Sequence, residues 1–152
     1  MTLKTWEIIS VLLLTLVSGM YWGPWLALTR SMNTFEPEIF LAVVQRLAKN
    51  MAPIMTFLTP IALLSTLPVL FLAYGVRSDI FYLTLAALFL FVFTLIVTMS
   101  VEVPIVMKIV TWTPTSLPEN WQELRDRWGA FHLLRVIPSL VGLSLMVIGA
   151  TL

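Results

Sequence analysis

Four long runs of apolar residues restrict what this chain can fold into more than any other feature of its sequence. They cover approximately residues 6–28, 53–75, 80–101 and 133–152. A helix needs about 20 apolar residues to cross the hydrocarbon core of a bilayer, where only a helix or a closed barrel satisfies its own backbone polar groups. The runs show no alternation of apolar and polar residues, which excludes a membrane barrel. The sequence therefore predicts an all-α membrane protein with a bundle of four transmembrane helices.

The overall composition supports this prediction and restricts the partners of the chain. Of 152 residues, 59% are hydrophobic and 11% are charged, which leaves too few polar side chains to cover a water-soluble globule. The formal net charge is only +1, so a broad basic surface for nucleic acid is not expected. We expect a single domain over residues 1–152, surrounded by the lipid bilayer, and leave open a homo-oligomer or a partner membrane subunit.

Two amphipathic segments between the apolar runs are predicted to form short interfacial helices. The first covers residues 34–50 and contains Pro37, which suits a first helical turn. The second follows the third run, where Ser116 and Glu119 have the spacing of a capping box that would begin a helix near Leu117. This helix is expected either to lie along the membrane surface or to continue into the fourth span. Both segments are expected to lie at the same side of the membrane.

Basic residues are distributed unevenly between the two sides of such a bundle. Lys4 and Arg77 fall on one side, and the other seven fall on the side of the two long connections. Because cytoplasmic loops carry an excess of lysine and arginine, the long loops are predicted to be cytoplasmic and both termini outside, in a bacterial inner membrane. The seven are Arg30, Arg46, Lys49, Lys108, Arg125, Arg127 and Arg135.

A cluster of polar residues is expected where the third and fourth runs meet the long loops. Glu102 ends the third run and Arg135 lies in the first turn of the fourth, so antiparallel helices place them at a similar depth. Spacings of three, four and three residues put four side chains on one face of a continuous helix, namely Arg125, Trp128, His132 and Arg135. Ionisable groups within a membrane are costly, so a cavity lined by these groups is a candidate site.

Each of these residues also has a purely structural interpretation. His132 is the only histidine and the natural proton carrier near neutral pH, but it also fits a boundary residue bonded to a loop carbonyl. Glu102 and Arg135 are either catalytic groups or an ion pair that fastens two helices together. Trp128 fits a stacking platform or an interfacial tryptophan belt, and Arg125 fits a ligand contact or a solvated face.

Cofactors have little support in the sequence. The absence of cysteine excludes disulfides, thiolate metal sites and iron–sulfur clusters, and a single histidine excludes two-histidine haem ligation within one chain. Scattered carboxylates leave an iron or manganese site open, although no Glu-x-x-His pair is present to anchor it. We predict no cofactor, and leave open a metal or haem whose remaining ligands come from a second chain.

Several short motifs of the chain occur together in one known family. A Glu-Val-Pro triplet at residues 102–104 closes the third run, and residues 19–25 end the first. A loop with Trp121 leads to a group that opens the fourth run, formed by Arg127, Trp128, His132 and Arg135. In these motifs the chain resembles the anthrone oxygenase-like family of small four-helix membrane proteins over nearly its whole length, with Glu102 where members usually have asparagine.

This resemblance implies a chemistry for the polar cluster. Fungal members oxidise anthrones to anthraquinones with molecular oxygen and without a conventional cofactor. By analogy, His132 would remove the acidic ring-methylene proton, alone or paired with Glu102. Arg135 or Arg125 would stabilise the resulting enolate, and Trp128 would stack on the flat substrate. The implied function is a cofactor-independent oxygenase or oxidoreductase that acts on a small hydrophobic anthrone- or quinone-like molecule. The alternative is a protein without enzymatic activity, either a membrane subunit or a lipid- or quinone-binding module.

Overall fold

The computed structural model describes residues 2–152, and it confirms the predicted four-helix membrane bundle. Within these residues there is no β-strand, and four helical segments are long and apolar enough to cross a membrane. A 3-10 turn joins the first two spans, and a π turn lies within the third. The elements are α1 (Leu3–Ala27), the 3-10 turn (Thr29–Thr34), α2 (Pro37–Ala73), α3 (Ser78–Val97), the π turn (Thr98–Glu102), α4 (Val103–Ile109) and α5 (Trp121–Thr151).

The first amphipathic segment is continuous with the second span and is not the separate interfacial helix that the sequence suggested. It forms the first turns of α2, with Pro37 in the first turn as predicted. A proline inside a helix removes one backbone hydrogen bond, but membrane helices tolerate it because neighbouring groups satisfy the freed carbonyl. The helix therefore continues through three further prolines, Pro53, Pro60 and Pro68.

The third span extends beyond its predicted end because the helix widens instead of stopping. The N–H of Val103 bonds to the carbonyl of Thr98, five residues earlier, which defines the π turn. Pro104 follows directly, and a proline ring normally clashes with the carbonyl four residues before it. The wider turn gives the ring room, so that helical structure continues as α4 to Ile109.

The second amphipathic segment continues into the last span, which confirms one of its two predicted arrangements, because α5 extends from Trp121 to Thr151. The predicted capping box at Ser116 is wrong. The Ser116 hydroxyl accepts a hydrogen bond from the Thr113 N–H at 2.8 Å and stabilises a turn instead of a helix start. One uninterrupted helix consequently carries residues 125–135, which is the condition that their predicted common face requires.

The spans alternate in direction, so the two ends of the bundle differ in their connections. At one end, called the termini end, Lys4 Nζ donates a hydrogen bond to the Ala150 carbonyl at 2.6 Å. The other end, called the loop end, carries the 3-10 turn and the connection between α4 and α5. Between them lies an apolar layer that includes Leu14, Val17, Ala62, Phe91 and Met146. This layer separates the polar groups of the two ends.

The contact between α3 and α5 is the most extensive in the bundle, and it depends on Gly142. A Cβ atom at this position would lie 3.0 Å from Phe91 Cε2 and 3.3 Å from the Ala87 carbonyl oxygen. Phe91 is itself buried in the apolar layer and has little freedom to move. A side chain at position 142 therefore forces the two helices apart.

We expect Gly142→Ala to be less stable than Gly19→Ala by about 1–3 kcal/mol, the usual cost of overpacking a core. Gly19 is the matched control, because a Cβ atom there meets nothing within 4 Å among residues 2–152. Alanine also improves helix propensity at both sites, so the comparison removes that gain. The measurement is reversible unfolding in a mild detergent, and equal stabilities of the two variants would contradict the packing described.

Candidate functional site

A cavity of about 870 Å³ lies at the loop end, between α2 on one side and α4 and α5 on the other. Its lining is predominantly apolar, with a few polar side chains, which is typical of sites for small molecules. Four of the five site residues predicted from the sequence line it, namely Glu102, Trp128, His132 and Arg135.

Glu102 and Arg135 form a buried ion pair between the third and fourth spans. Arg135 Nη2 lies 2.9 Å from Glu102 Oε2, and the two residues are only 8% and 2% exposed. Arg135 also donates from Nη1 to Thr98 Oγ1 at 3.4 Å, and its guanidinium lies 4.9 Å from the ring centroid of Tyr21. The antiparallel spans thus bring the two charges to the same depth. The ion pair joins the third and fourth spans.

This ion pair is incompletely satisfied by the protein itself. Glu102 Oε1 and Arg135 Nε are buried and have no hydrogen-bond partner among residues 2–152. A buried charge pair is stable only when its remaining donors and acceptors are also bonded. The site therefore has hydrogen-bonding capacity that a polar group of a ligand can use.

The π turn determines where the Glu102 carboxylate lies. Glu102 is the last residue of this turn and is buried, whereas the next residue, Val103, is exposed on the bundle surface. Single π turns inside α-helices occur frequently at functional sites, because they reorient a side chain without ending the helix. The signal for this turn in the sequence is Pro104, but the apolar run alone predicts that the third span ends near residue 101.

The imidazole of His132 is held by a backbone group of another helix. Its Nε2 lies 3.0 Å from the carbonyl oxygen of Tyr21 in α1. A carbonyl can only accept a hydrogen bond, so Nε2 carries a proton, and in the neutral imidazole Nδ1 then has a free lone pair. His132 is 4% exposed, and its Nδ1 has no partner in the described part of the chain. The hydrogen bond is thus to a helix carbonyl and not to a loop.

Trp128 is buried at the loop end of the cavity and does not belong to an interfacial belt. It is 4% exposed and packs with Phe40 and Ile109. Its ring meets the His132 imidazole edge to face, with centroids 5.6 Å apart. The indole Nε1 lies near the Glu102 carboxylate, although the contact falls short of full hydrogen-bond geometry. The indole therefore forms a wall of the cavity beside both polar groups.

Arg125, the fifth predicted site residue, is not brought to the cavity. Its Nε lies 2.8 Å from Asp126 Oδ1, and its guanidinium lies 5.2 Å from the ring centroid of Trp121. These contacts hold Arg125 near the surface of the loop end, beside the ring of Trp121. Between the two arginines considered as partners of an anionic substrate, the geometry favours Arg135.

Two residues of the site were missed by sequence reasoning. Tyr21 supplies both the carbonyl that holds His132 and the ring that lies against Arg135. Thr59, on α2, lines the cavity from the opposite side, and its hydroxyl has no hydrogen-bond partner among residues 2–152. The sequence places an aromatic residue and a threonine near these membrane depths, but it offers no pattern that links them to the cluster on α5.

Metal ligation has no support beyond what the sequence offered. Among residues 2–152, no group of three or more His, Asp or Glu side chains is placed to hold an ion. The absence of a cofactor stays a prediction, with a metal or haem shared with a second chain as the alternative.

Comparison with known proteins identifies a family for this chain. The model of a family described as anthrone oxygenase matches residues 47–145, which is 99 of the 152 residues. The match includes Glu102, Trp128, His132 and Arg135, and it begins within α2, so that Tyr21 lies outside it. No curated protein and no solved structure matches the chain.

Proposed function

The chain belongs to the anthrone oxygenase family, and we propose that it is a cofactor-independent membrane oxygenase that oxidises a small hydrophobic aromatic substrate of the anthrone or quinone-like class. The observation that carries this proposal is the buried His132 imidazole, whose proton is fixed on Nε2 and whose Nδ1 is free. The predicted orientation, with the long connections in the cytoplasm of a bacterium, belongs to the same proposal.

His132 is proposed to act as the base. The methylene group of an anthrone is acidic, because the anion formed on losing a proton is delocalised onto the ketone oxygen and the aromatic rings. A neutral imidazole with a free nitrogen beside the cavity is suited to remove this proton, and general base catalysis contributes about 10²–10⁴-fold to a rate. The hydrogen bond to Tyr21 holds the ring in the tautomer that this step needs.

Arg135 is proposed to stabilise the anion. A guanidinium fixed in a water-excluded site lowers the energy of negative charge that develops on an enolate oxygen. Glu102 and the Tyr21 ring hold this guanidinium in place, and its Nε has bonding capacity left. Glu102 is therefore proposed to position Arg135, and Trp128 to offer a flat face to the substrate rings.

The substrate itself supplies all the electrons that dioxygen accepts, so the oxidation needs no other reductant. The anion transfers electrons to dioxygen and forms a carbon–oxygen bond at the former methylene carbon, which gives a hydroperoxide after protonation. Loss of the second hydrogen from that carbon, with cleavage of the oxygen–oxygen bond, leaves a ketone and releases water. One oxygen atom enters the product and the other is reduced to water, so an anthrone and one dioxygen yield an anthraquinone and one water.

The test is turnover of anthrone by the purified protein in mild detergent with ¹⁸O-labelled dioxygen. We expect one labelled oxygen atom in each anthraquinone and one dioxygen consumed per product, at a rate well above the spontaneous oxidation in heat-inactivated protein. Mass spectrometry and an oxygen electrode measure these quantities, and elemental analysis of the same sample tests for metal. Product oxygen that derives from water, or a rate equal to the background, would contradict the proposal and favour the non-enzymatic alternative.

A further inference from the structure

The cavity is closed toward the loop end of the bundle. Gln45, on α2, donates from Nε2 to the Trp112 carbonyl at 2.9 Å and so joins α2 to the segment that follows α4. Phe40 and Trp121 pack beside this bridge, with ring centroids 5.3 Å apart. A hydrogen-bonded bridge and an aromatic cluster thus lie between the cavity and the loop-end surface.

Toward the middle of the bundle the cavity is closed as well. Two lining residues, Tyr21 and Met55, belong to the apolar layer or pack against it. Beyond them, Ala62 and Phe91 fill the space between the helices, and neither is more than 2% exposed. Access along the bundle axis is therefore blocked in both directions.

Between α2 and the third span, by contrast, the cavity opens sideways. Among its lining residues, Met99, Val103 and Met107 are 60%, 39% and 62% exposed on one edge. Ala52 and Thr56 are exposed on the α2 edge. All five lie in segments long and apolar enough to cross a membrane, and four of the five are apolar, as is expected of a surface in contact with lipid.

We infer that the cavity takes its ligand from the bilayer through this lateral opening, and that the ligand is an aromatic ring system that carries an apolar chain. The ring lies at the inner end, beside His132 and Arg135, and the chain extends between α2 and α4 into the lipid. This inference deepens the proposed function and rests on it only in taking the cavity as a ligand site.

The shape and chemistry of the cavity support a ligand with a chain. The buried ionisable side chains of its lining, Glu102, His132 and Arg135, lie on α5 and the π turn. At the opening four of the five residues are apolar, and the fifth, Thr56, donates its hydroxyl hydrogen bond to the Ala52 carbonyl of its own helix. A volume of about 870 Å³ is near the upper end for sites that hold drug-sized molecules, and so leaves room beyond a flat ring system. Methionine adapts to irregular apolar ligands, and five of the eight methionines line the cavity, namely Met20, Met51, Met55, Met99 and Met107.

The absence of cysteine makes the opening accessible to a direct test. Single variants Met107→Cys and Val103→Cys place a thiol at the opening, and Phe89→Cys, on the exposed face of α3, is the matched control. Each variant, in lipid nanodiscs, is modified with the bulky, lipid-soluble N-pyrenylmaleimide. The probes are 1-naphthol and 4-decyl-1-naphthol at equal mole fractions in the lipid, and binding is measured as the rise in unfolding temperature that each probe produces.

We expect the decyl probe to bind the unmodified variants at least about threefold more tightly than 1-naphthol. Both probes start in lipid, so the difference comes from van der Waals packing of the chain inside the opening and not from its transfer out of water. Modification at position 107 or 103 should abolish this preference, and modification at position 89 should leave it unchanged. Equal binding of the two probes to the unmodified variants, or a preference for the decyl probe that survives modification of both opening variants, would overturn the lateral opening. Anthrone turnover, measured separately, would in that case still support the proposed function. Failure of both probes to bind, together with absent turnover, would remove the ligand site and the inference with it.

Discussion

Replacing His132 with glutamine should lower the rate of anthrone oxidation by about 10²–10⁴-fold, the contribution of a general base, without unfolding the protein. The glutamine amide can still donate a hydrogen bond to the Tyr21 carbonyl, so the contact between α5 and α1 survives. It has no nitrogen that accepts a proton, so the first step of the proposed reaction is lost. The measurement is the initial rate of anthraquinone formation at a saturating concentration of substrate.

Ser139→Ala is the matched control for this substitution. Ser139 is also fully buried on α5, but its hydroxyl donates to the Val136 carbonyl of its own helix, away from the proposed chemistry. We expect this variant to retain most of the activity. A His132→Gln protein that folds and turns over at the parental rate would exclude the imidazole as the base.

Replacing Glu102 with alanine should destabilise the bundle by about 3–5 kcal/mol, because it leaves the buried guanidinium of Arg135 without its counter-charge. The ion pair is almost entirely shielded from solvent, so water does not compensate for the loss. Chemical unfolding in detergent measures the change.

A double variant distinguishes the contribution of the Glu102–Arg135 ion pair to stability from the contribution of the Arg135 charge to activity. In Glu102→Leu with Arg135→Met both charges are absent, and replacing a buried pair by apolar groups is often neutral or stabilising. We expect this protein to recover most of the lost stability but to remain inactive, because no cation is left beside the enolate. A double variant as unstable as Glu102→Ala would show that uncompensated charge is not the cause, and an active one would exclude Arg135 from catalysis.

The membrane bundle and the α5 side of the site could be predicted because both depend on local spacing. Four apolar runs determine four spans, and the positions of Trp128, His132 and Arg135 fix their common face on any continuous helix. The depth of Glu102 followed from the antiparallel order of the last two spans. These inferences need only helical geometry and chain direction.

The remaining features depend on contacts between distant parts of the chain. The carbonyl of Tyr21 is 111 residues away from the histidine that it binds, and a backbone atom leaves no trace in the residue pattern. The lateral opening results from how loosely α2 packs against α4, which no periodicity encodes. Where local chemistry was misjudged, at Ser116, a short side-chain hydrogen bond to Thr113 outcompeted the capping interaction.

The bond between His132 and the first helix has a consequence for how this protein tolerates mutation. Its acceptor belongs to the main chain, so exchanging the side chain at position 21 leaves that oxygen in place. A systematic mutational scan would detect at position 21 the loss of the ring, which packs on Arg135 and in the apolar layer. It would not detect the carbonyl that fixes the tautomer of the histidine. Divergent sequences can therefore preserve the same base while sharing nothing recognisable in α1.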